Sequence, residues 1–229
     1  MKWKALLFLF AVALLVTSCQ STYIANQTVV PLMSEGDEFH VSMSVGTNGY
    51  GAQLAYSPYY HWVIAASGNM FSNLGDSISA YNVGYRHIFG EALTGYYTRL
   101  DKLWRFEFLG GLGTGYSGHP DFLRRGYNRF VLQPSIGISA PNVDIGFTPK
   151  FSFVQRSFDR SLTQKSEVDE SVAFLEPTLT VRAGFQELKF QLQGGLSFAM
   201  GDTPIAFKTG FLSFGFHINL TKDFDKYTK

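Results

Sequence analysis

Residues 190–200 have the sequence FQLQGGLSFAM, in which large apolar side chains alternate with polar or small ones. An extended chain places on one face the residues Phe190, Leu192, Leu196, Phe198 and Met200. The opposite face carries only glutamine, glycine, serine and alanine. A period of two residues is the signature of a β-strand whose two faces meet different surroundings. The stretch therefore predicts a strand between an apolar environment and a polar one.

The same alternation continues along most of the chain. It is clear in residues 143–153 and 212–220, and no stretch after residue 19 keeps a helical period. The 229 residues include 23 glycines, 22 phenylalanines and 12 tyrosines, a composition that argues against a helical bundle and against disorder. We predict an all-β, antiparallel fold of about ten strands, near residues 38–46, 49–57, 60–68, 86–100, 103–117, 129–140, 143–156, 171–185, 187–200 and 209–220.

The predicted connections fall into two alternating sets. The short ones are residues 57–60, 101–102, 141–142 and 186. The others, apart from an Asn-Gly hairpin turn at residues 47–49, are long and polar: residues 69–85, 118–128, 157–170 and 201–208. Short turns at one end and long loops at the other are typical of outer-membrane barrels. An immunoglobulin-like sandwich does not usually sort its loops by length.

The orientation of the two faces separates a soluble barrel from a membrane barrel. Many predicted strands have 12 to 15 residues, and a tilted transmembrane strand needs about 9–11. The aromatic residues near the short turns would suit an interfacial belt: Tyr59, Tyr60, Trp62, Tyr96, Tyr97 and Trp104. On these features residues 38–220 resemble the small transmembrane β-barrels of the bacterial outer membrane. The resemblance implies an up-and-down barrel with an apolar exterior and a small polar or charged lumen. Strand 86–100 has no clean alternation, and its register stays open.

The N-terminus has the features of an export signal. Lys2 and Lys4 precede an apolar run of 12 residues from Ala5 to Val16, which is too short for a spanning helix of about 20 residues. The run ends in Val-Thr-Ser-Cys, which resembles the lipobox of bacterial lipoproteins. That resemblance implies cleavage after residue 18, lipidation of Cys19, a lipidated tether over residues 19–37 and a polar tail over 221–229. An ordinary secretory signal with an incidental cysteine is the alternative.

The polar face carries the candidate site. We expect a lumenal charge network of Arg105, Glu107, Asp144, Lys150, Glu176, Arg182 and Lys189. If Phe185 and Gln186 form a turn, Arg182 faces Lys189, and the repulsion would require a nearby carboxylate, for which we predict Asp144. If residues 141–142 form a turn, Ser139 faces Asp144. The network would be a structural plug, a charged constriction for small solutes or an active site.

Other function classes have less support. A formal net charge of +1 lacks the basic footprint of a nucleic-acid-binding protein. The five histidines have no metal-ligand spacing, and no catalytic motif is present, so we expect neither a metal, nor a cofactor, nor enzymatic activity. The expected partners are outer-membrane lipids, and lipopolysaccharide or an envelope protein at the long loops. Candidate contacts there are the cluster Arg124, Arg125 and Arg129 and residues 159–170. Three functions remain open: a surface or structural barrel, a narrow passive channel and an envelope lipid enzyme.

Overall fold

A computed structural model describes residues 21–73, 85–119, 123–161, 165–166 and 170–220. The predicted signal peptide, Cys19 and the tail 221–229 lie outside these ranges, as do parts of the predicted loops 69–85, 118–128 and 157–170. The strands are β1 (Phe39–Gly46), β2 (Gly49–Tyr59), β3 (Trp62–Asn73), β4 (Tyr85–Arg99), β5 (Trp104–His119), β6 (Leu123–Ser139), β7 (Val143–Ser161), β8 (Lys165–Ser166), β9 (Glu170–Gly184), β10 (Leu188–Leu196), β11 (Phe198–Ala199) and β12 (Gly210–Asn219).

Ten of these strands form a closed antiparallel barrel. From β1 to β7 each strand pairs with the next along the chain, and the order continues through the pairs β7–β9, β9–β10 and β10–β12. The pairing of the first strand, β1, with the last, β12, closes the ring. The short strands β8 and β11 extend the sheet beside β7 and β9. The predicted fold class is confirmed. Several strands are longer than predicted: β6 begins at Leu123 and β7 continues to Ser161, so the connection before β6 and the one after β7 are shorter than expected.

The two ends of the barrel differ. Residues 60–61, 100–103, 140–142 and 185–187 connect strands at one end, where β1 begins and β12 finishes. We call this the short-turn end. The opposite end, which we call the long-loop end, holds the turn at 47–48, the loop at 200–209 and the connections that follow β3, β5 and β7.

The outer surface of the barrel is apolar. Phe190 is 53% exposed and Leu112 is 68% exposed, and many more phenylalanine, leucine and isoleucine side chains point outward from every part of the wall. A water-soluble barrel would bury such residues, whereas a barrel in a bilayer presents them to acyl chains. In the predicted aromatic belt Tyr59, Tyr60, Trp62, Tyr96 and Trp104 are exposed. Tyr97 was wrongly assigned to it, because it is fully buried and its hydroxyl lies 2.7 Å from Ser57 Oγ inside the barrel.

Two register predictions can be compared with the pairing. Ser139 faces Asp144, as the turn at Pro141 and Asn142 predicts. The predicted pairing of Arg182 with Lys189 is wrong. Phe185 donates its backbone N–H to the Leu188 carbonyl, so the turn lies one residue later, and Arg182 faces Gln191 instead. The displacement of one residue in a turn changes the cross-strand pairing by two positions.

The register of β4, which the sequence left open, follows from its neighbours. Ser67 and Gly113 flank Glu91 in the sheet, and all three lie on the lumenal side. The outward positions of β4 include Ala92, Thr94 and Tyr96. The described residues contain no helix that is long and apolar enough to cross a membrane.

Candidate functional site in the barrel lumen

Residues 21–34, which precede β1, lie inside the barrel. Residues 21–34 are all buried, and they contact lumenal side chains from strands on every side of the wall. We call residues 21–35 the inner segment. The sequence pattern predicted this stretch as part of a tether, and it lies in the lumen instead of extending from the barrel. Side chains alone nearly fill the interior of an eight-stranded barrel. Ten strands enclose a slightly wider lumen, which has room for a single extended chain.

Glutamine side chains of the wall hydrogen-bond to the backbone of the inner segment. The Thr28 N–H donates to Gln193 Oε1 at 2.8 Å, and Gln193 Nε2 donates to the Thr28 carbonyl at 2.8 Å. Gln53 donates to the same carbonyl, and Gln133 donates to the Val29 carbonyl. A backbone buried away from other strands needs such partners, because an unpaired buried amide is costly.

A group of charged residues surrounds Asn26 at the middle of the lumen. Arg129 pairs with Glu91, and Lys150 Nζ lies 3.2 Å from Glu176. The amide of Asn26 joins the two pairs: Nδ2 donates to Glu91 at 2.8 Å, while Oδ1 accepts from Arg129 at 2.5 Å and from Lys150 at 3.3 Å. With Tyr23, these residues form what we call the mid-lumen cluster.

Tyr23 makes a second bridge in this cluster. Its hydroxyl donates to Glu176 Oε1 at 2.8 Å and accepts from Arg129 Nη1 at 2.9 Å. Its ring stacks on Phe174 with centroids 4.8 Å apart, and the Arg129 guanidinium lies 4.2 Å from the ring centroid of Phe89. The inner segment therefore supplies two side chains, Tyr23 and Asn26, that hydrogen-bond to residues of both ion pairs.

A different set of residues holds the part of the inner segment that lies nearer the short-turn end. Asp144 Oδ1 lies 2.7 Å from Lys189 Nζ, and Asp144 Oδ2 lies 3.9 Å from Arg182. Arg182 also donates to Gln191 at 2.8 Å and to the Val30 carbonyl at 2.5 Å. We call Asp144, Arg182 and Lys189 the short-turn cluster. Asp144 lies between Arg182 and Lys189, as predicted. The prediction was based on a direct cross-strand pairing of these two residues, which does not occur.

Carboxylates near the short-turn end bind backbone N–H groups of the segment. Glu107 accepts from the Met33 N–H at 2.8 Å, and Glu38 accepts from the N–H groups of Ser34 and Glu35. Arg105 donates to Ser34 Oγ at 2.7 Å and to carbonyls of the turn between β4 and β5. At this end, side chains therefore contact mainly the backbone of the inner segment.

The described part of the lumen holds equal numbers of buried basic and acidic side chains. Among the described residues, the buried lysine and arginine side chains are Arg105, Arg129, Lys150, Arg182 and Lys189. The buried carboxylates are Glu38, Glu91, Glu107, Asp144 and Glu176. The structure thus places all seven predicted lumenal residues inside the barrel. It adds Glu38, Glu91 and Arg129, and Arg129 was wrongly assigned to an exposed loop tip.

One side of the lumen is apolar. Val29 and Met33 of the inner segment pack in a cluster with buried residues of β2 to β6, among them Val63 and Leu109. On the other side the wall makes space with glycine: a Cβ at Gly146 would lie 2.9 Å from Val30, and one at Gly137 would lie 2.9 Å from Leu32. The path of the segment is therefore fixed by shape as well as by hydrogen bonds.

The loop at residues 200–209 covers the long-loop mouth. Tyr23 donates its N–H to the Ala206 carbonyl at 3.0 Å and accepts from the Lys208 N–H at 3.1 Å. Ile205 is buried in the aromatic cluster around Tyr23. Lys208 Nζ donates to the Thr47 carbonyl at 2.6 Å, and partial burial lowers the pKa of this lysine.

A cavity of about 330 Å³ opens at the short-turn end, bordered by Asp144 and Lys189 of the short-turn cluster and by His40 and His217. Ser42 Oγ lies 2.8 Å from His217 Nδ1, but Ser42 is below the cavity and not part of its wall. The described residues contain no group of three or more potential metal ligands.

No protein-family model matches the chain, and no curated protein sequence matches it. Among solved structures, it is similar to the translocator domain of the autotransporter NalP from Neisseria meningitidis, with 7% identity, a TM-score of 0.44, and coverage of 80% of this chain and 85% of that chain. It is also similar to the N-terminal β-barrel domain of OprF from Pseudomonas aeruginosa, with 9% identity, a TM-score of 0.32, and coverage of 81% and 98%. These likenesses concern the fold alone.

Proposed function

We propose that this protein is a lipoprotein of the bacterial outer membrane, with a structural or surface-interaction role and a lumen closed by its own inner segment. The membrane assignment is supported by the inverted barrel, since exposed Phe and Leu side chains surround a lumen that buries ten charged residues. Such an exterior is stable only against lipid. Closed barrels satisfy all backbone groups within the sheet, which a membrane requires.

The observation that carries the closed lumen is the burial of residues 21–34 together with their contacts to the wall. Hydrogen bonds or ion pairs reach the segment from β2, β3, β4, β5, β6, β7, β9 and β10. Wall side chains bond to the segment from different strands, as Gln53 and Gln193 do at the Thr28 carbonyl, so little open bore remains for a solute. A passive channel would need the segment to leave.

The proposed role also requires no catalytic residues. Ser42 and His217 are the nearest approach to a nucleophile and base, and both are buried, with exposures of 5% and 4%. Contact with other envelope components would involve the long-loop end, where Arg124 is exposed and stacks on Tyr116. Lipopolysaccharide or an envelope protein is the partner class that we propose for that surface.

Lipidation is tested by labelling cells with radioactive palmitate and comparing the protein with its Cys19→Ser variant. We expect label in the first and none in the second. Both proteins should show heat-modifiable mobility in detergent gels, which reports a closed barrel. Equal labelling of the two proteins, or none in either, would show that Cys19 is not acylated.

Closure of the lumen is tested by planar-bilayer recording. We expect the purified protein to give no discrete conductance steps. A variant whose inner segment is replaced by a Gly/Ser sequence of equal length should give steps, because the replacement keeps the chain length and removes the side chains that hold it. Steps of equal size in both proteins would support the passive channel instead. If the variant loses heat-modifiable mobility, the Gly146→Phe variant, whose ring would displace Val30 and Leu32 of the inner segment, takes its place in the comparison.

A further inference from the structure

The inner segment has a defined direction through the barrel. At its C-terminal side, Ser34 contacts Arg105 and Glu38 at the short-turn end, next to the start of β1. At its N-terminal side, Tyr23 pairs with residues 206 and 208 of the loop over the long-loop mouth. The chain therefore crosses the whole lumen before it enters the wall.

The first described residues lie at the long-loop rim. The Thr22 carbonyl accepts from Ser117 Oγ at 2.7 Å, and Thr22 Oγ1 accepts from Arg125 Nη1 at 3.2 Å. The Ser21 carbonyl accepts from the hydroxyl of Tyr85, which is the first residue of β4 at that end. Three strand ends and one loop thus fix where the segment begins.

The length of the segment agrees with a complete crossing. Thirteen residues separate the two rims, from Thr22 to Ser34, and an extended chain of that length spans at most about 45 Å. The hydrocarbon core of a bilayer is about 30 Å thick. A segment of this length can thus bring its two ends to opposite sides of a membrane.

The geometry points to a mature N-terminus at the long-loop face of the membrane, opposite to the end at which β1 begins and β12 finishes. This inference rests on the proposed function, since it takes the barrel to be membrane-embedded. Cys19 precedes Ser21 by two residues, which limits the distance between their Cα atoms to about 7 Å. Acyl chains attached to Cys19 would therefore enter the leaflet on the side of the long loops.

This placement has a consequence for assembly. A cysteine that carries diacylglyceryl cannot pass through a lumen that is filled by paired side chains and packed to protein density. The inner segment must therefore lie between the strands before the first strand, β1, pairs with the last strand, β12, and closes the ring. In this arrangement the anchored segment is the part around which the sheet closes.

Epitope accessibility on intact cells tests the side. A short epitope is inserted between Gln20 and Ser21 in one variant. Two reference variants carry it at Asp202, in the long-loop end, or at Asp101, in a short turn; both residues are exposed. We expect antibody to bind the first epitope and the Asp202 epitope on intact cells, and the Asp101 epitope only after the membrane is disrupted. Heat-modifiable mobility selects the variants that have folded.

The outcomes are distinct. The inference is overturned if the epitope after residue 20 behaves like the one at Asp101, that is, if antibody binds it only after the membrane is disrupted. It is also overturned if antibody never binds the epitope after residue 20. If the insertion prevents folding, labelling of Gln20→Cys with a membrane-impermeant maleimide replaces it, with Asp202→Cys and Asp101→Cys as references. Mass spectrometry of the N-terminal peptide reports acylation separately, so an absent lipid contradicts the proposed function without changing the result on sidedness.

Discussion

The middle of the lumen and its short-turn end hold the same segment by different means. In the mid-lumen cluster the segment contributes side chains, since Asn26 and the Tyr23 hydroxyl join the pairs of Arg129 with Glu91 and of Lys150 with Glu176. Near the short-turn end it contributes mainly backbone groups, such as the Val30 carbonyl and the Met33 N–H.

This difference separates two demands on the sequence of the segment. Where side chains complete a buried ion pair, few substitutions can replace them, because each leaves a charge with fewer partners. Where the backbone is the partner, the side chain needs only to fit the available space. We therefore expect substitutions at the mid-lumen cluster to cost more than substitutions at the short-turn end.

The largest effect is expected for Arg129→Met. The change removes the cation that faces Glu91 and leaves a buried carboxylate without its main counter-charge, which costs about 3–5 kcal/mol of unfolding free energy. Urea unfolding in lipid vesicles, followed by the fluorescence of Trp62 and Trp104, measures the loss. The double variant Arg129→Met with Glu91→Leu should recover part of it. A single-variant loss no larger than that of the double variant would contradict the proposed pairing.

A smaller effect is expected for Asp144→Ala. Lys189 and Arg182 lose their shared carboxylate but keep the Ala140 carbonyl, Gln191 and the Val30 carbonyl as acceptors. The expected loss is about 1.5–3 kcal/mol, the range for hydrogen bonds to charged groups. Asp202→Ala, at an exposed loop position, is the control and should lose nothing measurable. Because the inner segment stays in place, bilayer recordings should show no new channels, and discrete conductance in Asp144→Ala would contradict the structural role.

Tyr23→Phe isolates the hydroxyl bridge in the mid-lumen cluster. The ring can keep its stacking on Phe174, while Glu176 and Arg129 each lose one hydrogen bond, so we expect a loss of about 1–2 kcal/mol. Tyr50→Phe is the matched control, because Tyr50 is 66% exposed on the outer wall. Equal stability changes in the two variants would show that the bridge has no energetic role.

The smallest effect is expected for Glu107→Gln. Its amide oxygen can still accept from the Met33 N–H, so the loss should stay below about 1 kcal/mol. The matched change Glu91→Gln removes a charge that faces Arg129 and should cost clearly more. If the two glutamine variants are equally stable, the distinction between side-chain and backbone contacts in the two regions does not hold.

The wall could be predicted because its pattern is local. Phe190 and Leu192 alternate with Gln191 and Gln193 along a single strand, and the period alone assigns their faces. Arg129 shares the parity of Gln133 and Ser135, which would have placed it in the lumen, but it stands at the first position of the predicted strand 129–140 and was grouped with Arg124 and Arg125 of the preceding loop. Glu91 was left open because the lumenal face of β4 also carries Phe89 and Leu93, while the outward face includes Ala92 and Thr94, so polarity does not separate the two faces.

The inner segment could not be predicted in the same way. Residues 21–35 have no period, because their surroundings are not the two faces of a sheet. Tyr23 lies against an aromatic cluster, Asn26 lies among charges, and Val29 packs on an apolar side of the wall. These neighbours come from strands that are distant in sequence, and the sheet places them together only when it closes.

The sequence by itself determined that the chain forms long two-faced strands, and that these strands alternate short and longer connections, because backbone geometry places every second side chain on the same side. Only the tertiary structure decided what occupies the lumen, which charges pair there and at which end the segment begins. Those features depend on strand register and on closure of the ring, and both bring together residues that no local pattern connects.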